Sequence, residues 1–271
     1  MINVVLVIKV GDKTRENAIS DAALADLHEI SNHNSTVIVH GGGNTVTAIA
    51  EKLGIKQEFI TSPEGFRSRH TDAETMQVYT MVMAGKVNKE IVLRLQGNKI
   101  PAIGLSGIDG GLIRAERKRK LIVTDERGRR RVIDGGYTGR VTRTDGALLR
   151  RLMDGGYVPV IAPIALGGEN EPLNIDGDRT AANVAGALQA DTLLLVTDVG
   201  GVSIQSGLAR RLGASDAKNN LSNLGPGMIT KVYAALEALS SGVGRVVIAS
   251  GQGATPYSSA LQEQNGTVIV A

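Results

Sequence analysis

The chain has 271 residues, 42% of them hydrophobic and 21% charged, which suits a soluble globular protein with one large core or two modest ones. It has no cysteine, which excludes disulfides, thiolate catalysis and cysteine-ligated zinc, and its four histidines (His28, His33, His40, His70) show no metal-ligand spacing. A net charge of +3 hides an imbalance: between Arg114 and Arg151 thirteen lysines and arginines face five acids, so the rest of the chain is net acidic. Such asymmetry bears on a partner or substrate rather than on the fold.

The opening Met-Ile-Asn-Val-Val-Leu-Val-Ile-Lys lacks the basic start of a signal peptide, and no apolar run approaches the ~20 residues of a membrane span. A soluble, cytoplasmic protein is expected. Apolar, β-rich runs at 4–8, 36–39, 100–105, 158–161, 192–196, 245–249 and 267–270 predict strands. Amphipathic stretches at 19–30, 71–95, 145–153, 179–188 and 228–239 predict helices between them. This alternation argues for an α/β fold around a mainly parallel open sheet covered on both faces.

The first strand ends at Lys9-Val-Gly11. The second ends at His40-Gly-Gly-Gly43, and a helical pattern (Val46, Ile49, Ala50, Leu53) follows at once. Three residues without Cβ allow backbone amides to approach a ligand, and the helix adds its positive N-terminal end, so an anion is favoured there. A plain turn is the simpler reading of one glycine; three at a strand end favour the anion. The Gly-Lys-Ser/Thr ending of a P-loop is missing. Other strands end at Ser106-Gly-Ile-Asp-Gly110, Thr197-Asp198 and Ser250-Gly-Gln-Gly253. In an open parallel sheet those ends share the ligand-binding edge.

The 71–95 helix carries Met76, Tyr79, Met83, Val87, Ile91 and Leu95 at spacings of three and four. That stripe is expected in the core, and its methionines leave room for a subunit interface. Residues 120–124 and 130–134 flank Asp125-Glu-Arg-Gly128 as a hairpin, with Arg114, Arg117, Lys118, Arg119, Lys120, Arg127, Arg129, Arg130 and Arg131 crowded around it. A solvated edge, an acidic protein partner and nucleic acid all fit such charge; the scarcity of aromatics (five Tyr, two Phe, no Trp) weighs against the last. Further on, Asp178 is placed to cap the helix through Leu188, yet Asn174, Asp176 and Asp178 on alternate positions exceed what a cap needs. As a calcium loop the segment is poor, since Gly177 comes early and a terminal Glu is absent. A second lysine, Lys231, follows the loop Leu224-Gly-Pro-Gly227, where a phosphoryl group is one use for it.

Taken in order, Lys9-Val-Gly11, His40-Gly-Gly-Gly43, Arg69-His-Thr-Asp72, Gly104-Leu-Ser-Gly107, Asn174-Ile-Asp-Gly-Asp178, Thr197-Asp-Val199 and Gly227-Met-Ile-Thr-Lys231 resemble the amino acid kinase family, acetylglutamate kinase group. The set spans nearly the whole chain. Ser62-Pro-Glu-Gly65, Ser68-Arg-His-Thr-Asp72, Gly107-Ile-Asp-Gly-Gly111 and the basic hairpin resemble the LysW-aminoadipate / LysW-glutamate kinase branch, which acts on substrates carried by a small acidic protein. One departure stands out: Asp12 replaces the last glycine of the family's Lys-x-Gly-Gly loop.

The resemblance implies the amino acid kinase fold, a three-layer sandwich with the basic hairpin as an insertion. It implies a single domain over 1–271, with an acyl-substrate lobe (1–171) and a nucleotide lobe (172–271). The implied reaction is phosphorylation of a side-chain carboxylate by ATP with Mg²⁺. Lys9 and Lys231 would flank the transferring phosphoryl group and Asp178 would orient them. Gly42 and Gly43 would meet the reacting end of the acyl substrate, Arg69 and Asn174 its α-carboxylate, and Gly11, Thr197, Asp198, Gly225, Gly227 and Met228 the ATP. Arg117, Lys118, Arg119, Lys120, Arg129, Arg130 and Arg131 would dock the LysW carrier, and no residue is assigned to a protein-held metal. A homodimer without nucleic-acid or membrane partners is implied. Free N-acetylglutamate is the alternative acceptor and a non-catalytic amino-acid sensor the lesser one. Glutamate and aminoadipate differ by one methylene, worth only ~1–3 kcal/mol, and both stay open.

Overall fold

The structure, a computed structural model, describes residues 4–11, 19–125, 127–204 and 207–271; Asp12 lies outside them. The seven predicted strands, joined by an edge strand Arg211–Gly213 that was not predicted, assemble into one eight-stranded sheet. Its order is Arg211–Gly213, Thr267–Val270, Arg245–Ser250, Thr192–Thr197, Val4–Val10, Asn34–His40, Val158–Ala162 and Ala102–Ser106. All neighbouring pairs are parallel except Thr267–Val270 against Arg245–Ser250.

The strands are apolar along their middles because both faces are covered. Successive side chains point to opposite faces, so Leu6, Ile8, Val10, Ile38 and Val160 enter one core and Val7, Val37, Val39, Leu193 and Leu195 the other. Helices Asp21–His33, Gly43–Lys52 and the 71–95 segment cover the first face; Gly146–Asp154, Gly177–Leu188 and Pro226–Ser240 cover the second. The result is the expected three-layer α/β sandwich. A smaller sheet, in the order Pro172–Asn174, Ile164–Leu166, Ile113–Arg117 and Gly139–Thr144, lies beside it.

Residues 71–95 form one helical rod of three pieces: Ala73–Thr80, a π-helical Met81–Val87 and Asn88–Gly97. All six stripe residues are buried in the first core, so the stripe itself is not available to a second subunit; the rod's exposed apolar residues are Met81 and Leu93. The hairpin Lys120–Thr124 with Arg130–Asp134 forms as expected. Arg114 and Arg117, however, belong to the smaller sheet and not to the hairpin. A second hairpin, Glu58–Thr61 with Arg67–His70, has no strong alternation in sequence and was not expected.

One buried carboxylate ties the C-terminal region to the first layer. Asp26 accepts hydrogen bonds from the Tyr257 amide (2.7 Å), the Ser258 amide (3.0 Å) and the Ser258 hydroxyl. Asp26→Ala leaves those donors buried without a partner, and urea unfolding is expected to show a loss of about 2–4 kcal/mol.

Candidate active site

Lys9 stands at the carboxyl end of the central strand Val4–Val10, and Asp178 in the first turn of the helix Gly177–Leu188. Lys231 lies two turns into the helix Pro226–Ser240, which begins with proline at a position where no amide hydrogen bond is lost. Packing of these helices over the second face brings the three together. Lys9 Nζ is 2.8 Å from Asp178 Oδ1, and Lys231 Nζ is 2.9 Å from Oδ2 and 3.1 Å from Oδ1. Lys9 and Asp178 are only 8% and 6% exposed. Burial by itself pushes the Asp178 carboxyl up, but Lys9 and Lys231 overcome it and hold the group down at about 2. Burial and the repulsion of Lys9 lower the Lys231 ammonium, with Asp178 opposing both. One carboxylate thus holds two ammonium groups side by side.

The helix cap corrects the sequence reading. Asp176, not Asp178, caps the helix by accepting from the Arg179 amide at 2.9 Å, which leaves Asp178 to the lysines.

Lys9, Gly42, Gly43, Arg69, Asn174 and Asp178 line a single cavity of about 940 Å³. The glycine loop arrives on the strand next to Lys9 and passes into the helix Gly43–Lys52. Gly42 has no alternative: a Cβ there would sit 2.4 Å from Met83 Sδ. The carbonyl of Gly42 accepts from the Val46 amide (3.0 Å), and the amides of Gly42 and Gly43 have no acceptor among the described residues.

Arg69, 7% exposed, donates to the Gly43 carbonyl (2.7 Å), the Thr47 hydroxyl (2.9 Å) and Gln57 Oε1, and lies 4.9 Å from the Phe59 ring centre. All those partners are neutral, and burial lowers the guanidinium's pKa. A buried cation with neutral neighbours, opening on a cavity, is built to receive a carboxylate. Asn174 is held by donating to the Thr71 hydroxyl at 2.9 Å.

The structure places Gly11, Thr197, Asp198, Gly225, Gly227 and Met228 outside this cavity. Gly11 follows the Lys9 strand, and Thr197 and Asp198 end the adjoining strand Thr192–Thr197. Gly225, Gly227 and Met228 form the open start of the Lys231 helix. Gly11, Thr197 and Asp198 therefore lie on the carboxyl edge that carries Lys9, and Gly225, Gly227 and Met228 precede Lys231 at the start of its helix.

The seven basic residues do not share one surface. Lys120, Arg130 and Arg131 are exposed on the hairpin. Arg119 pairs with Glu169, and Arg129 with Asp125 at 2.9 Å. Arg117 turns inward, donating to the Gly136 carbonyl (2.6 Å) over the Tyr137 ring. Lys118 lines the cavity, where burial and then Arg179 and Arg140 depress its pKa.

Sequence reasoning missed Thr47, Gln57 and Thr71, which hold Arg69 and Asn174, and gave His40 no task. Thr47 and Gln57 stand outside the motifs and Thr71 inside one, and none of them carries a periodic signal that would have marked its role.

With the geometry in hand, the class can be stated. The model of the amino acid kinase family matches residues 4–250, and the chain belongs to that family. More particularly, it is 47% identical over 264 residues to a Cenarchaeum symbiosum protein named putative LysW-aminoadipate/LysW-glutamate kinase, covering 97% of this chain and 98% of the other. To the LysW-aminoadipate/LysW-glutamate kinase of Saccharolobus solfataricus it is 42% identical over 265 residues, with the same coverage. Among solved structures, the N-acetylglutamate synthase from Neisseria gonorrhoeae complexed with coenzyme A and N-acetyl-glutamate superposes with a TM-score of 0.81 at 25% identity, over 99% of this chain and 59% of that one. Carbamate kinase from Giardia lamblia bound to AMP-PNP (TM-score 0.69, 15% identity, 99% of both chains) shares the fold.

His40 supplies a pH test. It is fully buried, and burial, with repulsion from Lys9 and Lys89, lowers its pKa to about 4 against the Gly41 carbonyl, which favours the charged ring. The unfolded chain takes up the proton first, so stability is full above pH ~6.5 and falls as pH drops toward 4, by about 3 kcal/mol from this group. Urea unfolding at both ends of that range should show the loss, and a His40→Gln variant should lose less by that amount.

Proposed function

We propose that the protein is an ATP-dependent kinase that phosphorylates the side-chain carboxylate of aminoadipate or glutamate attached to the LysW carrier protein, in lysine or arginine biosynthesis. The observation that carries this reading is the Lys9–Asp178–Lys231 cluster, of which Lys9 and Asp178 line the same cavity as Arg69. The names of the relatives support the acceptor.

An acceptor carboxylate with a pKa near ~4.3 is already ionised at neutral pH, so the reaction needs no general base. It needs alignment and relief of repulsion between two anions. A carboxylate oxygen attacks the γ-phosphorus, the bond to the β-phosphate oxygen breaks, and acyl phosphate and ADP result. Lys9 and Lys231 stabilise the charge on the phosphoryl group in transit, held at a fixed separation by Asp178. The Gly42 and Gly43 amides face the attacked carboxylate; Arg69 and Asn174 take the α-carboxylate. Gly11, Thr197, Asp198, Gly225, Gly227 and Met228 hold ATP. Mg²⁺ would arrive on the ATP phosphates, where it would neutralise part of their charge.

Lys120, Arg130 and Arg131 steer an acidic carrier to the cavity mouth, and Lys118 meets it inside. This reading includes the two lobes meeting near residue 171, a cytoplasmic homodimer, and no nucleic-acid or membrane partner. Among the described residues no helix is long and apolar enough to cross a membrane.

Lys9→Ala and Lys231→Ala are each expected to lower kcat by at least about 10²-fold while ATP still binds by calorimetry; near-normal turnover in either would overturn the assignment. With carrier-linked acceptor, KM is expected to rise steeply with ionic strength, and Arg130→Ala/Arg131→Ala should flatten that dependence. Equal use of free N-acetylglutamate would instead make the protein an acetylglutamate kinase.

A further inference from the structure

The peptide between Gly41 and Gly42 joins two residues without Cβ, so no side chain opposes its rotation. In a trans peptide the carbonyl and the amide point in opposite directions, so whatever holds the Gly41 oxygen also aims the Gly42 N–H. The Gly43 amide is fixed otherwise. Its peptide's oxygen, that of Gly42, accepts from Val46, so the N–H points out of the helix start. The Gly42 amide has no such helical constraint.

His40 provides it. The fully buried ring places Nδ1 2.7 Å from the Gly41 oxygen, and a carbonyl only accepts, so Nδ1 carries the proton. The other nitrogen, Nε2, is 3.2 Å from Asn88 Nδ2. Asn88 has a single orientation, because its Nδ2 also donates to the Val160 carbonyl (2.9 Å) and its Oδ1 accepts from Lys89 Nζ (3.0 Å). Nε2 is therefore an acceptor, and the tautomer is set by hydrogen bonds alone. The ring, Asn88 and Val160 all lie on the packed side of the loop, whereas Gly42 opens on the cavity.

We infer that His40, held by Asn88, is a positioning residue that locks the Gly41–Gly42 peptide with its oxygen inward and the Gly42 N–H toward the acceptor carboxylate. Released, the same peptide turns its oxygen toward the cavity and repels the anion it now binds. The inference rests on the carboxylate-kinase reading above and deepens it, by assigning a donor's direction to a residue that never touches substrate.

The test compares His40→Phe, which keeps a ring but loses the donor, with His40→Asn, whose amide nitrogen stands near the place of Nδ1. His40→Phe is expected to lower kcat about 100-fold with KM for ATP little changed, and His40→Asn to recover to within about tenfold of the parent. In protein labelled with ¹⁵N-glycine, the Gly42 amide resonance is expected to shift on adding N-acetylglutamate in the parent and in His40→Asn, but not in His40→Phe. Should His40→Phe fail to fold, Asn88→Ala serves: it leaves the ring in place, frees its tautomer, and is expected to lower kcat about tenfold and shrink the Gly42 shift. A kcat for His40→Phe within about threefold of the parent, or no advantage of His40→Asn over it, overturns this inference alone. A parent that phosphorylates no carboxylate acceptor overturns the proposed function, and this inference with it.

Discussion

Two lysines from opposite ends of the chain share one buried carboxylate, and the rest of the site is arranged around that fact. Lys9, Asp178 and Lys231 lie on a strand and two helices far apart in sequence, the two helix residues being 53 positions apart, and they meet because a parallel sheet presents all its strand ends on one edge. Neither ammonium would remain buried beside the other without Asp178. Removing one member of a buried ionic group typically costs about 3–5 kcal/mol, because a charge is left uncompensated. The two lysines and Asp178 together carry one net positive charge, with the Asp176 carboxyl beside them, its pKa raised by burial and by Asp178. Arg69 repeats the principle on the opposite wall with neutral partners only.

The sheet was legible in the sequence because its strands are buried on both faces. Unbroken runs of three to five Val, Ile or Leu then mark most of the expected strands, whose ends differ from the expected ones by two residues or fewer. Lys9 and the three glycines were legible because chemistry so unlike the preceding run marks the strand's end. The partner of the lysines was less so. Alternation of Asn174, Asp176 and Asp178 showed that more than a cap was present, but which acid capped the helix depended on where the helix began. The helix starts two residues before the sequence estimate, and that shift exchanges the roles of Asp176 and Asp178.

Two features were out of reach for opposite reasons. The hairpin Glu58–Thr61 with Arg67–His70 has only the adjacent Phe59 and Ile60 as apolar residues, since it covers a cavity instead of a core, and carries no period-two pattern. The basic segment, by contrast, gave a strong compositional signal that says nothing about direction. Folding turns Arg117 onto Tyr137, pairs Arg119 and Arg129 with acids at the surface, sends Lys118 into the cavity and leaves Lys120, Arg130 and Arg131 outward on the hairpin. A charge count sets the field at long range; only the register of two hairpin strands decides which charges can touch a partner.

The π-helical Met81–Val87 makes the 71–95 rod a measuring device. From Tyr79 onward the core stripe advances by four residues at every step, and a regular α-helix would rotate that stripe by about 40° per step away from the core. The wider turn absorbs the drift, so that Met83 and Val87 press on Gly42 and Asn88 arrives beneath His40. Residue count along this rod is thereby converted into angle at the glycine loop. A single deletion in the regular helix Ala73–Thr80 would swing Asn88 through about 100°, so this rod is bound to a fixed length as strictly as the site is bound to its lysines.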